Sequence, residues 1–529
     1  MVCRQSQRRG EASLIRLRRF IFTKKQTQSG EKIYFKNKEI RKLLAYYKKI
    51  WALEHAGALM GWDLETYMPE KGVVDRGAAS SQIELFGQRL LLDKEFVKSV
   101  DRAARINGLN DYEKGVVREL KRDISIKKKI PPRLIEEESL ATTKGIVAWR
   151  NARKKSNFGI FRPYLEEILR IQREKAEKLG YKEHPYDALL DLYEEDMRVR
   201  EVDSIFSDFI PRLKQILDRV ISEKKFTEGE KLKKAKYDVA KMRVVNEKIV
   251  EMLGYDMERF RVDVSAHPFT TTIGANDVRI TTRYEGVDFK RVLFSTVHES
   301  GHALYELQCD SNLAMTPIFG GVSLGIHESQ SRFWENMIGR SRPFVHAITP
   351  MLKKQLTFLK GVDEEEIYSY FNRVKPGMIR VDADELTYNF HIVIRYEIEK
   401  LLMKNEIKTK DLPEFWNKKM EEYLGIKPRN DAEGVLQDIH WSQGSIGYFP
   451  TYSLGNIVSA IVRAKAMKEM KNFEGRISAG DFKPLQDWLK ERIHKYGSTY
   501  KPKELLKKAL GEGYNPIYLT AYLNQKFLG

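Results

Sequence analysis

The run His298-Glu299-Ser300-Gly301-His302 places two imidazoles four residues apart with a carboxylate beside the first. On a helix, positions i and i+4 share a face, so both rings reach one metal ion. Glu299 is turned partly aside, where it can take a proton from a metal-bound water. This is the chemistry of a zinc hydrolase. Catalytic zinc usually takes three protein ligands and keeps a fourth position open. Glu306 is not the third, because eight residues separate it from His298, roughly 12 Å along a helix axis. Tyr305 and Gln308 stand where a longer zinc motif carries Gly and His. The third ligand must come from another element. His327 and Glu328, in Gly325-Ile326-His327-Glu328-Ser329-Gln330-Ser331-Arg332, are the next candidates. Adjacent helical residues point about 100° apart, so one of the two binds, and spacing alone does not choose between them.

These residues need elements to hold them. Val292, Leu293, Phe294, Val297, Ala303, Leu304 and Leu307 predict a buried helix around the motif. Before it, Asp277 to Tyr284 largely alternates with period two and is β-branched, which predicts a strand half-buried on the Val278/Ile280 side. Gly286 ends that strand, and Asp288 is the expected N-cap of the helix. From about residue 39 to 260 the apolar spacing is helical, as in Ile40, Leu43, Leu44, Ile50, Trp51 and Leu53. Turns are expected at Ile130-Pro131-Pro132 and His184-Pro185. From about 362 the chain is again helical, with a Gly- and Tyr-rich loop near 442–455. The expected fold is mainly α, with a small β element before the motif helix.

Composition bounds the rest. A chain of 529 residues, 42% hydrophobic, can bury a large core. Two distant cysteines, Cys3 and Cys309, argue against a disulfide framework and for a reducing, cytoplasmic setting. No apolar run is long enough to cross a membrane, and residues 1–30 lack a signal-peptide core. The net charge of +19 invites a nucleic-acid reading. Residues 1–30 alone hold eight basic residues against Glu11, and elsewhere acids and bases are interspersed, so no nucleic-acid partner is expected. The first 30 residues, Arg-rich and acid-poor, are read as a separate, disordered extension or upstream sequence from a misplaced start, with a transit peptide as the alternative, and 31–529 as one catalytic domain. Abundant Lys and Glu with few Cys is also what heat-adapted proteins show.

Seven of the ten histidines fall between 267 and 440. Of these, His346 and His391 are read as structural. Six ordered motifs then carry a family resemblance. They are His267-Pro268-Phe269; Asp277-x-Arg279-x-Thr281; His298-Glu299-x-x-His302; His327-Glu328-Ser329-Gln330; Ile379-Arg380-x-x-Ala383-Asp384; and Gly434-x-x-Gln437-Asp438-x-His440-Trp441. Gly61-Trp62-Asp63, Thr66 and Met68-Pro69 also look familial. From about residue 35 to the end, the chain resembles the thermostable carboxypeptidase (carboxypeptidase Taq) family of metallocarboxypeptidases.

The resemblance implies a helical, oligopeptidase-like fold with a deep active-site groove. It implies homodimers and one zinc ion per subunit, with cobalt as a substitute. It implies removal of single residues from peptide C-termini, broad in specificity but with proline disfavoured. It assigns Glu328 as third ligand beside His298 and His302, with His327 as a neighbour. Glu299 is then the general base. His440 and Tyr448 are candidates to stabilise the oxyanion, the alternative for Tyr448 and Tyr452 being packing in a Gly-rich loop. Arg380, then Arg279, are candidates for the substrate carboxylate; the alternative for Arg279 is an ion pair with Asp277 or another acid. His267 and Gln437 complete the expected substrate-binding set, and Gln437 with Asp438 is expected to orient His440. The competing reading is an endo-acting zinc oligopeptidase with the same metal site.

Overall fold

The computed structural model describes residues 34–529, so both Cys3 and the 1–30 extension lie outside the described residues. The first long helix, α1 (Lys38–Thr66), starts where Asn37 Oδ1 accepts from the Glu39 and Ile40 amides. Its stripe of Ile40, Leu43, Leu44, Tyr47 and Ile50 is buried against Phe96, Val97, Val116 and Leu120. Each such side chain contributes roughly 1.5–3 kcal/mol when fully buried. Helices also begin at the two expected proline turns, Pro132 and Pro185, where a missing N–H is no loss. The second of these is short, α2 (Pro185–Leu190).

Helix gives way to a three-stranded sheet after Met252, somewhat before the residue 260 expected. Strands β1 (Phe260–Val264), β2 (Thr270–Gly274) and β3 (Asp277–Thr282) lie in the order β1-β3-β2. β1 pairs with β3 in parallel and β2 with β3 antiparallel, with Thr270 opposite Ile280 and Thr271 opposite Arg279. The predicted strand therefore ends at Thr282, two residues early, and its Val278/Ile280 side is fully buried as expected. Side chains alternate across the sheet, so Thr270 shares the face of Ile280 while Arg279 points to the other.

The motif helix, α3 (Phe289–Gln308), begins after Asp288. That residue holds the N-cap position but does not cap. Its backbone is left-handed (φ 53°), and its carboxylate accepts from the Tyr370 hydroxyl instead. Helix α4 (Leu324–Arg332) carries His327 and Glu328, with Ser323 Oγ accepting from the Ile326 amide at its start. It runs directly into a π-helical stretch, Phe333–Gly339. Two long helices, α5 (Tyr388–Met403) and α6 (Pro450–Glu469), complete the surroundings of the site. The expected 442–455 loop is thus shorter than the sequence suggested: Pro450 starts a helix, and Tyr452 sits in its first turn.

Close approach fixes the helix packing. A Cβ on Gly301 would lie 2.6 Å from the Gln330 carbonyl oxygen and from Ser331 Cα, so α3 touches α4 backbone to backbone. A Cβ on Gly455 would lie 2.9 Å from Glu328 Cγ. Most of the apolar interior joins one large cluster that includes Leu293, Val297, Ile326, Phe333 and Ile457. Cys309 is buried and unpaired. No helix among the described residues is long and apolar enough to cross a membrane.

Candidate metal and catalytic site

His298 and His302 project from one face of α3, and Glu328 meets them from α4. One ligand atom from each of the three lies within 4.8 Å of the others. Glu328 Oε2 is 3.4 Å from His302 Nε2 and 3.8 Å from His298 Nε2. Ligand bonds of about 2.0–2.1 Å in a tetrahedron set neighbouring ligand atoms about 3.3 Å apart. Two imidazole nitrogens and one carboxylate oxygen at this spacing fit a divalent cation with one position left open.

Both rings are aimed by the nitrogen that faces away from the triad. His298 Nδ1 is 2.9 Å from Glu335 Oε2 on the π-helical stretch. His302 Nδ1 is 2.5 Å from His327 Nδ1, and His327 Nε2 is 2.9 Å from Glu306 Oε1. Such contacts fix tautomer and ring orientation. Arg332 Nε donates to Glu328 Oε1 (2.7 Å), and Arg332 and Arg340 both donate to Glu335. Burial opposes the charged form of Glu328, but Arg332 and the two imidazoles outweigh it and hold the carboxyl well below the usual range. Glu335 is held low in the same way by Arg332, His298 and Arg340.

Glu299 is buried next to the triad. Thr270 of β2 donates its hydroxyl to Glu299 Oε2 at 2.6 Å. Burial raises the Glu299 carboxyl above its ordinary value, against the lowering influence of His298 and Thr270. A carboxylate raised in this way is a better proton acceptor.

A second cluster adjoins the first. Asp438 lies between two buried guanidiniums, accepting from Arg380 Nε (2.9 Å) and Arg395 Nε (2.6 Å). Two cations share one anion, which leaves a net positive charge. Arg380 Nη1 also donates to the Tyr388 hydroxyl (3.1 Å), and the Tyr388 ring lies 4.5 Å from the Arg332 guanidinium. Tyr388 therefore joins this cluster to the arginine that holds Glu328. His440 Nε2 is 3.4 Å from the Tyr452 hydroxyl, and its ring is 5.4 Å from that of Tyr448. Burial lowers His440 to about 4, so it is a neutral ring near pH 7. Burial pushes Tyr448 up to about 12, so it keeps its proton.

The other expected residues fall elsewhere. Gln437 accepts from the Arg380 amide (2.8 Å) and donates to the Met378 and Glu433 carbonyls, so it braces the backbone that carries Arg380. Arg279 makes a two-pronged ion pair with Asp277 (2.7 Å each) and stacks on Trp62. It lies on the sheet face opposite Thr270, away from α3. His267 is exposed. His391 is fully buried in α5, and exposed His346 lies beside Glu364.

Sequence reasoning missed Arg332, Glu335 and Thr270, and gave Glu306 no role. Arg332 was legible in part, being one helical turn past Glu328. Glu335, seven residues past Glu328, shares its face by the same spacing. Nothing local marked Thr270.

Comparisons with known proteins identify the family. Residues 42–527 match the family model described as Carboxypeptidase Taq (M32) metallopeptidase. Thermostable carboxypeptidase 1 of Pyrococcus furiosus is 50% identical, over 93% of this chain and 99% of that protein. Carboxypeptidase 1 of Bacillus subtilis is 38% identical, over 91% of this chain and 96% of that one. A solved structure of Pyrococcus furiosus carboxypeptidase superposes with a TM-score of 0.93 at 49% identity, covering 94% of this chain and all of the other. The M32 carboxypeptidase of Deinococcus radiodurans superposes at 0.90 with 33% identity, covering 93% and 99%. The chain belongs to the carboxypeptidase Taq family of metallopeptidases and is a metallocarboxypeptidase.

Proposed function

We propose that this member of the carboxypeptidase Taq family releases single residues from the C-termini of peptides, with broad side-chain tolerance and proline disfavoured. His298, His302 and Glu328 would hold one zinc ion per subunit, with cobalt as a substitute. A divalent cation bound there supplies a Lewis acid that polarises the scissile carbonyl and acidifies an attacking water. Glu299 accepts a proton at its carboxylate and returns it to the leaving amine. The Thr270 hydroxyl holds that carboxylate at one oxygen, which leaves the other to face the water. His440, neutral because it is buried, and Tyr448, protonated for the same reason, donate hydrogen bonds to the charge that develops on the carbonyl oxygen. Gln437 and Asp438 act from behind, bracing Arg380 and its loop.

The observation that carries exo-action is the shared carboxylate of Asp438. Arg380 and Arg395 together exceed its charge by one, next to the metal triad. A buried cluster with one surplus guanidinium suits a substrate's terminal carboxylate. Arg380 has Nε and Nη1 engaged by Asp438 and Tyr388 and offers Nη2. Arg279 is a weaker candidate, since Asp277 and Trp62 occupy it. The family resemblance also supports a homodimer, and cysteine usage supports a cytoplasmic setting.

The test is a time course on an unblocked peptide with zinc or cobalt, with and without chelator. Products shortened one residue at a time from the C-terminus, lost on chelation, are expected. Internal fragments would instead establish an endopeptidase.

A further inference from the structure

Glu399 is a fully buried carboxylate on α5 that the reaction outlined above does not use. It makes no ion pair among the described residues. Arg395, one turn away, gives its guanidinium to Asp438. Glu399 instead accepts three neutral donors from separate parts of the chain. Its Oε1 takes the Trp441 indole N–H at 2.8 Å. Its Oε2 takes the Tyr186 hydroxyl of α2 at 2.7 Å and the Gly447 amide at 3.1 Å. A buried carboxylate without a cation is costly, and burial raises this one to about 7. An apolar residue in its place would strand an indole N–H and a backbone N–H in the core.

Two of these donors, Trp441 and Gly447, bracket one turn. His440 directly precedes Trp441, and Tyr448 directly follows Gly447. Gly447 is pressed against α2: its φ is +97°, and a Cβ there would lie 2.8 Å from the Leu189 carbonyl carbon. Tyr193 supports the same turn from behind, its ring 5.3 Å from that of Tyr448. The turn is therefore clamped between α2 and α5, with Glu399 holding both of its ends. Across it, the rings of His440 and Tyr448 stand 5.4 Å apart.

We propose that Glu399 is a positioning residue for the hydrolysis: by binding the Trp441 indole and the Gly447 amide together, it fixes His440 and Tyr448 relative to each other. This rests on the reading that those two groups meet the substrate. The effect falls on transition-state stabilisation rather than on metal binding, because no metal ligand touches Glu399.

The experiment uses zinc-loaded full-length enzyme. Glu399→Gln keeps the shape and one acceptor oxygen but turns an NH2 group toward a donor. Zinc content is expected to stay at the wild-type value, KM to change by less than about threefold, and kcat to fall by about tenfold or more. In a Tyr448→Phe or a His440→Ala background the same change is expected to cost less than in the wild type, since one of the two groups it positions is already gone. If Glu399→Gln fails to fold, Glu399→Asp is read the same way, because the shorter arm keeps the charge but cannot reach both donors. Wild-type kcat in the folded variant overturns the proposal. So does a full multiplicative loss in both Tyr448→Phe and His440→Ala backgrounds. Wild-type turnover in Tyr448→Phe and His440→Ala alone would remove the reading of those two groups, and this inference with it.

Discussion

His302 and His327 face each other through their Nδ1 atoms at 2.5 Å, and His327 reaches Glu306 with its other nitrogen at 2.9 Å. The ionised Glu306 requires an N–H from His327 Nε2. His327 Nδ1 is then a lone pair, and His302 Nδ1–H donates to it. That leaves the Nε2 lone pair of His302 directed at Glu328 and the metal position. The arrangement explains why adjacent His327 and Glu328 do different work: one turns back along α3 toward Glu306, the other toward the triad.

Breaking this chain is expected to loosen the metal. Glu306→Gln or His327→Ala should weaken zinc affinity by about 10–100-fold, the usual effect of removing a partner behind a ligand. Competition with a chromophoric chelator measures it. Wild-type affinity in both variants would refute the tautomer argument.

Glu299→Gln should retain metal, since the side chain is not among the three that converge. Turnover is expected to fall by orders of magnitude, on the order of 10²–10⁴-fold for loss of a general base. Single-turnover kinetics with metal analysis separate the two. Near-normal turnover would remove Glu299 from the proton transfer.

Arg380→Ala should raise KM most for peptides with a free C-terminus. Losing one charge-assisted hydrogen bond of about 1.5–3 kcal/mol corresponds to roughly 10–150-fold in kcat/KM. The parent enzyme should also cut amidated peptides far more slowly. Equal rates on free and amidated substrates would move carboxylate recognition away from Arg380.

Stability should depend on Glu194 in a definite direction. This fully buried carboxyl accepts from Ser323 Oγ and the Gly325 amide at the start of α4, and from Tyr514. Burial raises it to about 7 from 4.5. Between those values the folded state holds a proton that the unfolded state has lost, so this contribution falls as pH rises. Compared with wild type, Glu194→Gln should therefore gain in melting temperature on going from pH 5 to pH 8. The opposite slope in paired thermal melts would contradict the raised value.

The proposed metal-binding pair was legible in the sequence because a helix imposes its own period: four residues bring His298 and His302 to one face whatever surrounds them. The same local rule marked the strand at Val278 and Ile280, excluded Glu306 as a ligand, and made the protein mainly helical. It did not extend to contacts between elements. Spacing left His327 and Glu328 equivalent, and only the packing of α3 on α4 through Gly301 turns Glu328 to the triad. Arg380 and, second to it, Arg279 were both candidates for the substrate carboxylate. Sheet alternation sends Arg279 to Asp277 and Trp62, while the Gln437 side chain, bonded to the Arg380 amide and the Met378 carbonyl, sets Arg380 beside Asp438. Thr270 and Glu399 carried no local signal, because their partners lie tens to hundreds of residues away. Periodicity fixes which face a side chain takes, and tertiary packing alone decides what that face meets.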